Sequence, residues 1–420
     1  MKTREEWRQF LFDNPGSAWF RAPLLTAVGV LVWKFQSKGL FDALVWLAFL
    51  YALWHARDGI GHWRNAAGFA FAGILVFTLA TLPLSVSPMD SLRDLVRMAV
   101  DLAAVFVIAV LFHTRRRIAA ALLYSAAALT LLLGFDLARL AWRLRGDLLT
   151  RAHAFEPFIL NHSNVASMMA GAAFIVLAYF AWTSRRRPWR LALCLLGMAV
   201  NLVYQVVVAS RGPQVAFATA MVLSGAVVLP GWRRKLAWIA AAAAVVIALA
   251  TNVDRINPRF LDKVSMRGLR DRDKVWAHTW ELSRQRPLLG YGYGKRVFHQ
   301  VYRSTNPPES PFDFPHAHEY WLFTLFQHGW IGVSLYATAW LLLTLRLLRS
   351  MARLRDDADA RLLAGTILIL LLFIHVYGLA DWPDNVVLLM LWWLIPAALV
   401  VTARPAKPPA AGSLSSPARP

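Results

Sequence analysis

Long apolar segments follow one another through most of the chain and restrict how it can fold. A helix needs about 20 mainly apolar residues to cross a bilayer. Segments of this kind lie at 20–36, 39–56, 65–84, 94–112, 117–135, 163–183, 189–208, 213–230, 234–252, 317–345, 361–380 and 385–402. The sequence therefore predicts an all-α, polytopic membrane protein with about twelve transmembrane helices.

The composition agrees with this class. Hydrophobic residues make up 58% of the 420 residues and charged residues 16%, against about 45–50% and 25% in soluble domains. The net charge of +21 would suggest a nucleic-acid partner in a soluble protein, but cytoplasmic loops of membrane proteins collect Lys and Arg. We therefore expect membrane lipid and no nucleic acid as a partner. Residues 1–20 contain Glu5, Glu6 and Asp13, so no cleaved signal peptide is expected there.

Basic clusters give the orientation. They occur in alternate loops, at 114–117, 184–190, 232–235 and 346–361, and in the tail with Arg404 and Lys407. The positive-inside rule places these loops and both termini in the cytoplasm. On this topology the chain divides into residues 1–252 with nine helices, a large outer loop at 253–317, residues 318–403 with the last three helices, and a disordered tail at 404–420.

The large outer loop contains one helical pattern. Between Arg272 and Arg286, Trp276 and Trp280 share a face with Val275 and Thr279, while charged residues lie elsewhere. This spacing predicts a short helix lying on the outer membrane interface. The glycines of 287–298 then predict a turn.

The outer side is unusually cationic for its position. The basic residues predicted there are Arg139, Arg143, Arg145, Arg151, Arg211, Arg255, Arg259, Lys263, Arg267, Arg270, Arg272, Lys274, Arg284, Arg286, Lys295, Arg296 and Arg303. Long loops are translocated whatever their charge, but Arg211 lies in a very short turn, where a cation needs a partner. Because guanidinium groups bind phosphate in bidentate fashion, the pattern predicts a phosphate-bearing substrate at the outer leaflet.

Histidines are concentrated at the entry to one apolar segment. In PHAHEYWLFTLFQHGWIG, residues 315–332, His316 and His318 precede the segment and His328 lies within it. An imidazole has an unperturbed pKa near about 6.5 and suits a general base at neutral pH. Packing roles are the alternative, and we expect one for His328, whereas His316 is expected to orient the loop around His318.

Four local patterns, in order, resemble the O-antigen ligase and polymerase superfamily of bacterial inner-membrane glycosyltransferases. They are NHSNVA at 161–166, ASRGPQVA at 209–216, RDKVWAHTWELSRQRPLLGYGYG at 272–294 and AHEYWLFTLFQHGWIG at 317–332. One departure is Glu319, which stands where the family usually has Asn after the histidine. The resemblance implies a GT-C-like fold with short helices in one large periplasmic loop.

The resemblance also implies a reaction and its residues. A glycan is transferred from an undecaprenyl-diphosphate carrier to a hydroxyl of lipid A–core, with inversion and without a metal or other cofactor. His318 matches the family's histidine by its spacing from Gly329, and Arg211 and Arg272 match its two arginines. The expected roles are general base for His318 and diphosphate binding for the arginines. Possible further substrate contacts are His162, Asn164, His316 and Trp276.

Other functions remain open at this stage. A polymerase would use the same chemistry, although the cationic outer side favours the phosphorylated lipid A–core acceptor of a ligase. Protein O-oligosaccharyltransferases usually carry a sizeable soluble C-terminal region, whereas only a short tail follows the last span here. A transporter would place its polar groups at the midplane and show repeated halves. The turn at Asp381–Asn385 is expected to be structural.

Overall fold

The computed structural model describes residues 38–55, 65–143, 157, 163–208, 210–229, 231–251, 267–305, 316–379, 381 and 386–402. The helices of this part of the chain are α1 Lys38–His55, α2 Ala66–Thr81, α3 Pro88–Leu111, α4 Arg115–Arg143, α5 Ser163–Thr183, α6 Pro188–Val208, α7 Arg211–Val228, α8 Trp232–Thr251, α9 Arg267–Gln285, α10 Lys295–Ser304, α11 Tyr320–Arg353, α12 Ala358–Gly378 and α13 Val386–Val401. The described residues contain no strand, which confirms an all-α fold for them.

Six of these helical segments are long and apolar enough to cross a membrane. They are Ala66–Leu84, Arg115–Arg143, Ser163–Thr183, Pro188–Val208, Tyr320–Arg353 and Ala358–Gly378. Five further helices, α1, α3, α7, α8 and α13, coincide with other predicted segments. The predicted span at 20–36 and the predicted tail at 404–420 lie outside the described residues.

Helix α5 lies at the centre of the bundle and packs against α4, α6, α7 and α12. Small residues on its surface allow this close approach. A Cβ atom added to Gly171 would lie 2.7 Å from the ring of Phe373 and 2.8 Å from Nε2 of Gln205. The first turn of α5 carries Asn164, so this packing fixes the position of a candidate site residue.

Helices α9 and α10 form a small layer with its own apolar core. That core joins Val275, Leu282, Tyr291, Val297, Phe298, Val301, Tyr302, Ala317, Phe323 and Phe326. Val275 and Thr279 of α9 are fully buried, but the side chain of Trp280 is 46% exposed. The buried residues of α9 pack on protein, and the ring of Trp280 meets the ring of Trp330 at 6.5 Å. A position of α9 on the outer membrane interface stays a prediction.

Helix α11 is bent sharply at Gly329, where the sequence predicted one continuous span at 317–345. Gly329 has φ 60° and ψ −168°, which is not helical. The rings of Tyr320 and Tyr336 are 6.2 Å apart, whereas 16 residues of straight helix would separate their backbones by about 24 Å. Trp340 Nε1 also donates a hydrogen bond of 3.3 Å to the Tyr320 hydroxyl. The first arm, residues 320–328, thus folds back beside the second arm, residues 330–353.

The glycine-rich loop at 287–292 fits into this bend and pairs with the backbone groups that the bend frees. Four backbone hydrogen bonds join them: Trp330 N to Pro287 O (2.7 Å), Ile331 N to Leu288 O (3.3 Å), Tyr291 N to Phe326 O (2.9 Å) and Gly292 N to Gln327 O (3.1 Å). An interrupted helix is tolerated in a membrane protein when other protein groups satisfy its backbone. Two of the sequence patterns quoted above therefore act as one structural unit.

Replacing Gly329 with alanine should destabilise the fold strongly. A Cβ atom there would lie 2.2 Å from the carbonyl carbon of Leu288, and the backbone conformation is one that only glycine adopts readily. Overpacking costs about 1–3 kcal/mol, and the strained backbone adds a cost of about the same size. We expect a clearly lower thermal unfolding midpoint for Gly329→Ala in detergent.

Gly73→Ala is the matched control, because no atom lies within 4 Å of a Cβ atom at this position inside α2. Alanine favours a helix interior by about 1 kcal/mol over glycine, so this variant should unfold at the wild-type temperature or above it. Equal midpoints for the two variants would contradict the proposed rigidity of the bend.

Candidate active site

A buried carboxylate, Asp381, collects side chains from four separate parts of the chain. Its Oδ1 accepts a hydrogen bond of 2.7 Å from Nδ1 of His318. Its Oδ2 accepts from Asn164 Nδ2 at 2.7 Å and from the Tyr377 hydroxyl at 3.1 Å. One guanidinium nitrogen of Arg272 lies 3.7 Å from the same oxygen. The site thus joins α5, α9, the start of α11 and the end of α12.

His318 is held in an unusual backbone conformation. Its φ of 53° lies in the left-handed region and is the only such value for a non-glycine residue in the described part of the chain. Residues in this region carry a steric cost and persist where their surroundings enforce them. The backbone N–H of His318 donates to Nδ1 of His316 at 3.2 Å. This hydrogen bond joins the two histidines directly.

Glu319 has a structural role that explains its place after the histidine. It is the N-cap residue of α11, and its carboxylate accepts hydrogen bonds from the backbone N–H groups of Trp321, at 3.0 Å, and Leu322. Burial raises the pKa of Glu319, and these two bonds act in the opposite direction. The negative charge also suits a helix N-terminus. Glu319 therefore fixes the first arm of α11 directly behind His318.

Arg211 is the first residue of α7, and the positive charge of Arg272 acts on it. The preceding residue, Ser210, donates a hydrogen bond from its hydroxyl to Oδ1 of Asn164. Asn164 in turn donates to Asp381. The structure therefore brings Arg211, Arg272 and His318 together around one centre.

The remaining candidates are placed differently. His162 lies outside the described residues. Trp276 lies one helical turn after Arg272, and its Nε1 is buried with no hydrogen-bond partner among the described residues. His328 is 1% exposed and stacks between the rings of Tyr293 and Tyr336, so it packs inside the bend of α11.

The environment sets the charges of the site. Burial alone would raise the pKa of Asp381, but the hydrogen bond and charge of His318, and then the charge of Arg272, outweigh it and lower the pKa to about 2. Burial lowers the pKa of His316 to about 2, and the neighbouring charges of His318 and Lys295 act in the same direction. At neutral pH the site therefore contains an ionised carboxylate and a neutral His316.

The same residues could be arranged around a metal ion. His316, His318 and Asp381 each offer one ligand atom, and these atoms lie within 4.8 Å of one another. Two histidines and a carboxylate are a known ligand set for transition metals. However, Arg272 is 3.7 Å from the carboxylate, and Nδ1 of both histidines is engaged by protein groups. A divalent cation would be repelled by the guanidinium, and both oxygens of Asp381 already have protein partners, so these residues fit a metal ion poorly.

Residues 197–337 match the sequence profile of the O-antigen ligase family. The predicted resemblance to this superfamily is confirmed. The family is glycosyltransferase-like, and the matched range contains Arg211, Arg272 and His318. No curated protein matches the chain. Asn164, Tyr377 and Asp381 lie outside the matched range, and the structure alone connects them to it.

Asp381 is the residue that sequence reasoning missed. The sequence predicts a structural turn there, and the structure adds that the Asp381 carboxylate contacts His318 directly. The sequence does contain one signal. Asp381 follows an apolar segment at its outer end, where cations are in excess, and a charged residue in such a position needs a partner. Proximity to His318 could not be read from the chain, since 63 residues separate the two.

The neutral state of His316 predicts a pH-dependent stability. Between about pH 6.5 and the folded-state pKa of about 2, the unfolded chain binds a proton at this residue and the folded chain does not. Stability therefore rises with pH across this window and falls as the pH is lowered below about 6.5. We expect the thermal midpoint to drop less between pH 7.5 and pH 5 in His316→Asn, whose amide oxygen can still accept from the His318 N–H.

His113→Asn controls for the loss of a histidine elsewhere, since His113 lies in the turn between α3 and α4. An identical pH dependence in wild type and His316→Asn would show that His316 is not held neutral by the fold.

Proposed function

We propose that the protein is an O-antigen ligase. It transfers a glycan from undecaprenyl diphosphate to lipid A–core, at a periplasmic site of the bacterial inner membrane, with both termini in the cytoplasm. One observation carries the proposal: His318 and Arg272 both contact Asp381. Asn164 also contacts Asp381, and it accepts a hydrogen bond from Ser210, the residue before Arg211. A base beside a cationic centre suits attack by a hydroxyl on a sugar whose leaving group is a diphosphate.

His318 acts as the general base. An ionised carboxylate can only accept hydrogen bonds, so the contact with Asp381 places the proton of the neutral ring on Nδ1. Nε2 then carries the free electron pair, which can take the proton of the acceptor hydroxyl. As the acceptor oxygen bonds to the anomeric carbon, the bond from that carbon to the diphosphate oxygen breaks. The proton ends on Nε2, the electron pair leaves with undecaprenyl diphosphate, and the anomeric centre is inverted.

Arg211 and Arg272 bind the leaving group. Two guanidinium groups that act on each other in a partly buried site repel, and an anion between them relieves this repulsion. The diphosphate gains negative charge as its bond to the sugar breaks, so fixed cations stabilise the transition state more than the ground state. Bidentate hydrogen bonds from guanidinium also orient the phosphates.

Asp381 positions the base. It holds one tautomer of His318 and offsets the positive charge that the ring acquires on taking the proton. Asn164 and Tyr377 saturate the second carboxylate oxygen, which fixes the direction of the first.

The cationic outer surface favours a phosphorylated acceptor, and therefore a ligase over a polymerase. Exposed basic residues of α9, α10 and the loop between them are Lys274, Arg284, Arg286, Arg296 and Arg303. Two of them form ion pairs, Arg284 with Glu281 at 3.2 Å and Arg296 with Asp90 at 4.0 Å. Phosphates of the acceptor can bind there away from the reacting sugar.

Purified protein should transfer glycan from the lipid-linked donor to lipid A–core, with a chelator present and no added metal. His318→Ala should reduce the rate to background, because no other group replaces the base. Arg211→Lys should lower it by about tenfold or more, since an ammonium cannot form the bidentate contact.

Product analysis by mass spectrometry decides among the functions. Extension of the lipid-linked glycan, with no transfer to lipid A–core, would identify a polymerase instead. Loss of activity on chelation would contradict the metal-independent mechanism, and wild-type rates in either variant would remove that residue from it.

Asp381→Asn should reduce transfer by about 10²-fold or more while the protein remains folded. An amide can donate to Nδ1 of His318 and so stabilise the wrong tautomer, an effect that reaches about 10⁴-fold in serine proteases. The measurement is the transfer rate, with the thermal midpoint as a check on folding. Asp356→Asn is the control, since Asp356 is exposed in the turn between α11 and α12. A near-normal rate in Asp381→Asn would show that the carboxylate does not position the base.

A further inference from the structure

A second polar cluster lies on the other face of the first arm of α11. Phe323 and Phe326 of this arm face α9 and α10, in the layer that carries Arg272. Tyr320 and His328 point the opposite way, into the bend, where they meet Tyr336. The arm with His318 at its tip therefore separates two chemically different sides.

The bend contains a stack of aromatic rings around an unsatisfied nitrogen. His328 stacks on Tyr293 at 5.5 Å and on Tyr336 at 5.8 Å between ring centroids. Its Nε2 is buried and has no hydrogen-bond partner among the described residues. Tyr293, Tyr320 and Tyr336 are each only partly buried and retain accessible surface. A buried polar atom without a partner is uncommon in proteins and points to a group that binds there.

Two carboxylates of α3 lie beside this stack. Asp94 and Asp101 are seven residues, or about two helical turns, apart and share a face. Burial raises the pKa of Tyr293, and the nearby charges of Asp101 and Asp94 raise it further. Asp94 is 8% exposed; its Oδ1 lies 3.7 Å from the Arg97 guanidinium, and its Oδ2 has no hydrogen-bond partner in the described part of the chain. This side is aromatic and carries two carboxylates with one guanidinium, whereas the other side carries Arg211 and Arg272 with the one carboxylate of Asp381.

We propose that the recess formed by Tyr293, Tyr320, Tyr336, His328 and the carboxylates of α3 binds the acceptor sugar in its neutral or amino form. Carboxylates and tyrosine hydroxyls accept and donate hydrogen bonds to sugar hydroxyls, and aromatic rings line most ligand sites of this kind. The same carboxylates repel phosphate. The phosphorylated part of the acceptor is thereby directed to the basic surface, and the sugar that reacts is an unphosphorylated one.

The reaction geometry supports this position, and the inference rests on the proposed function. In an inverting displacement the attacking oxygen approaches from the side opposite to the leaving group. With the diphosphate at Arg211 and Arg272, the acceptor must come from the other side of His318. The first arm of α11 begins at Tyr320, whose ring faces the bend and which is two residues from His318. Gly378 of α12 also contacts Tyr320, which places this end of the recess beside the catalytic centre.

The kinetic test uses Tyr293→Phe and Asp101→Asn. Tyr293→Phe removes a hydroxyl, and Asp101→Asn replaces an accepting carboxylate oxygen with a donating amide, so each should raise KM for the acceptor by about three- to tenfold. The KM for the lipid-linked donor should stay within about twofold of wild type. Tyr124→Phe, at a partly buried tyrosine of α4 packed against the main core, is the matched control and should change neither value. Unchanged acceptor KM in both variants, or an equal rise in donor KM, would overturn the assignment.

A binding titration separates this inference from the proposed function, because it needs no transfer. The probe is core oligosaccharide, freed of lipid and phosphate, titrated into the detergent-solubilised full chain. Wild type and Arg211→Lys should bind it alike, and Tyr293→Phe and Asp101→Asn should bind it about three- to tenfold more weakly. Preferred binding of the phosphorylated oligosaccharide, with no effect of the two variants, would contradict the subsite. Absence of transfer together with this binding pattern would contradict only the ligase reaction.

Discussion

The bend at Gly329 is the constraint on which the rest of the active centre depends. It frees backbone donors and acceptors in the middle of an apolar helix, where they cannot remain unpaired. The loop at 287–292 supplies their partners through four hydrogen bonds. The bend therefore both turns the first arm back, with His318 at its tip, and ties α9 and α10 to that arm. These four hydrogen bonds hold the layer that carries Arg272 against the arm that carries His318, so both residues reach one centre.

A chain of polar contacts then completes the centre across the bundle. It runs from Ser210 through Asn164 to Asp381 and ends at His318. Each member is partly or fully buried, and buried polar groups are costly unless they are paired. These contacts therefore connect the start of α7, where Arg211 lies, to His318, the proposed base. Preorganisation of this kind is what a reaction that depends on charge stabilisation requires.

Much of the fold could be predicted, because long apolar runs specify helices locally. The segment predicted at 163–183 coincides with α5 at Ser163–Thr183. The bend could not be predicted, since Gly329 lies in a run that reads as continuous helix and its partners lie about 40 residues away in sequence. Among the site residues, Arg211, Arg272 and His318 were accessible through local patterns. Asp381 was not, because its importance comes from a contact across 63 residues.

The two sides of the first arm of α11 carry opposite charge, and this separation has a physical reason. Arg272 already pairs with Asp381, and a single pocket that also held Asp94 and Asp101 would have more carboxylates than guanidinium groups and would lose its affinity for anions. Phe323 and Phe326 of the arm face the side with α9 and α10, and Tyr320 faces the side with Tyr336. The guanidinium groups thus keep their capacity for an anionic ligand, and the carboxylates keep theirs for hydroxyl groups. In the proposed reaction His318, at the tip of the arm, acts on both ligands.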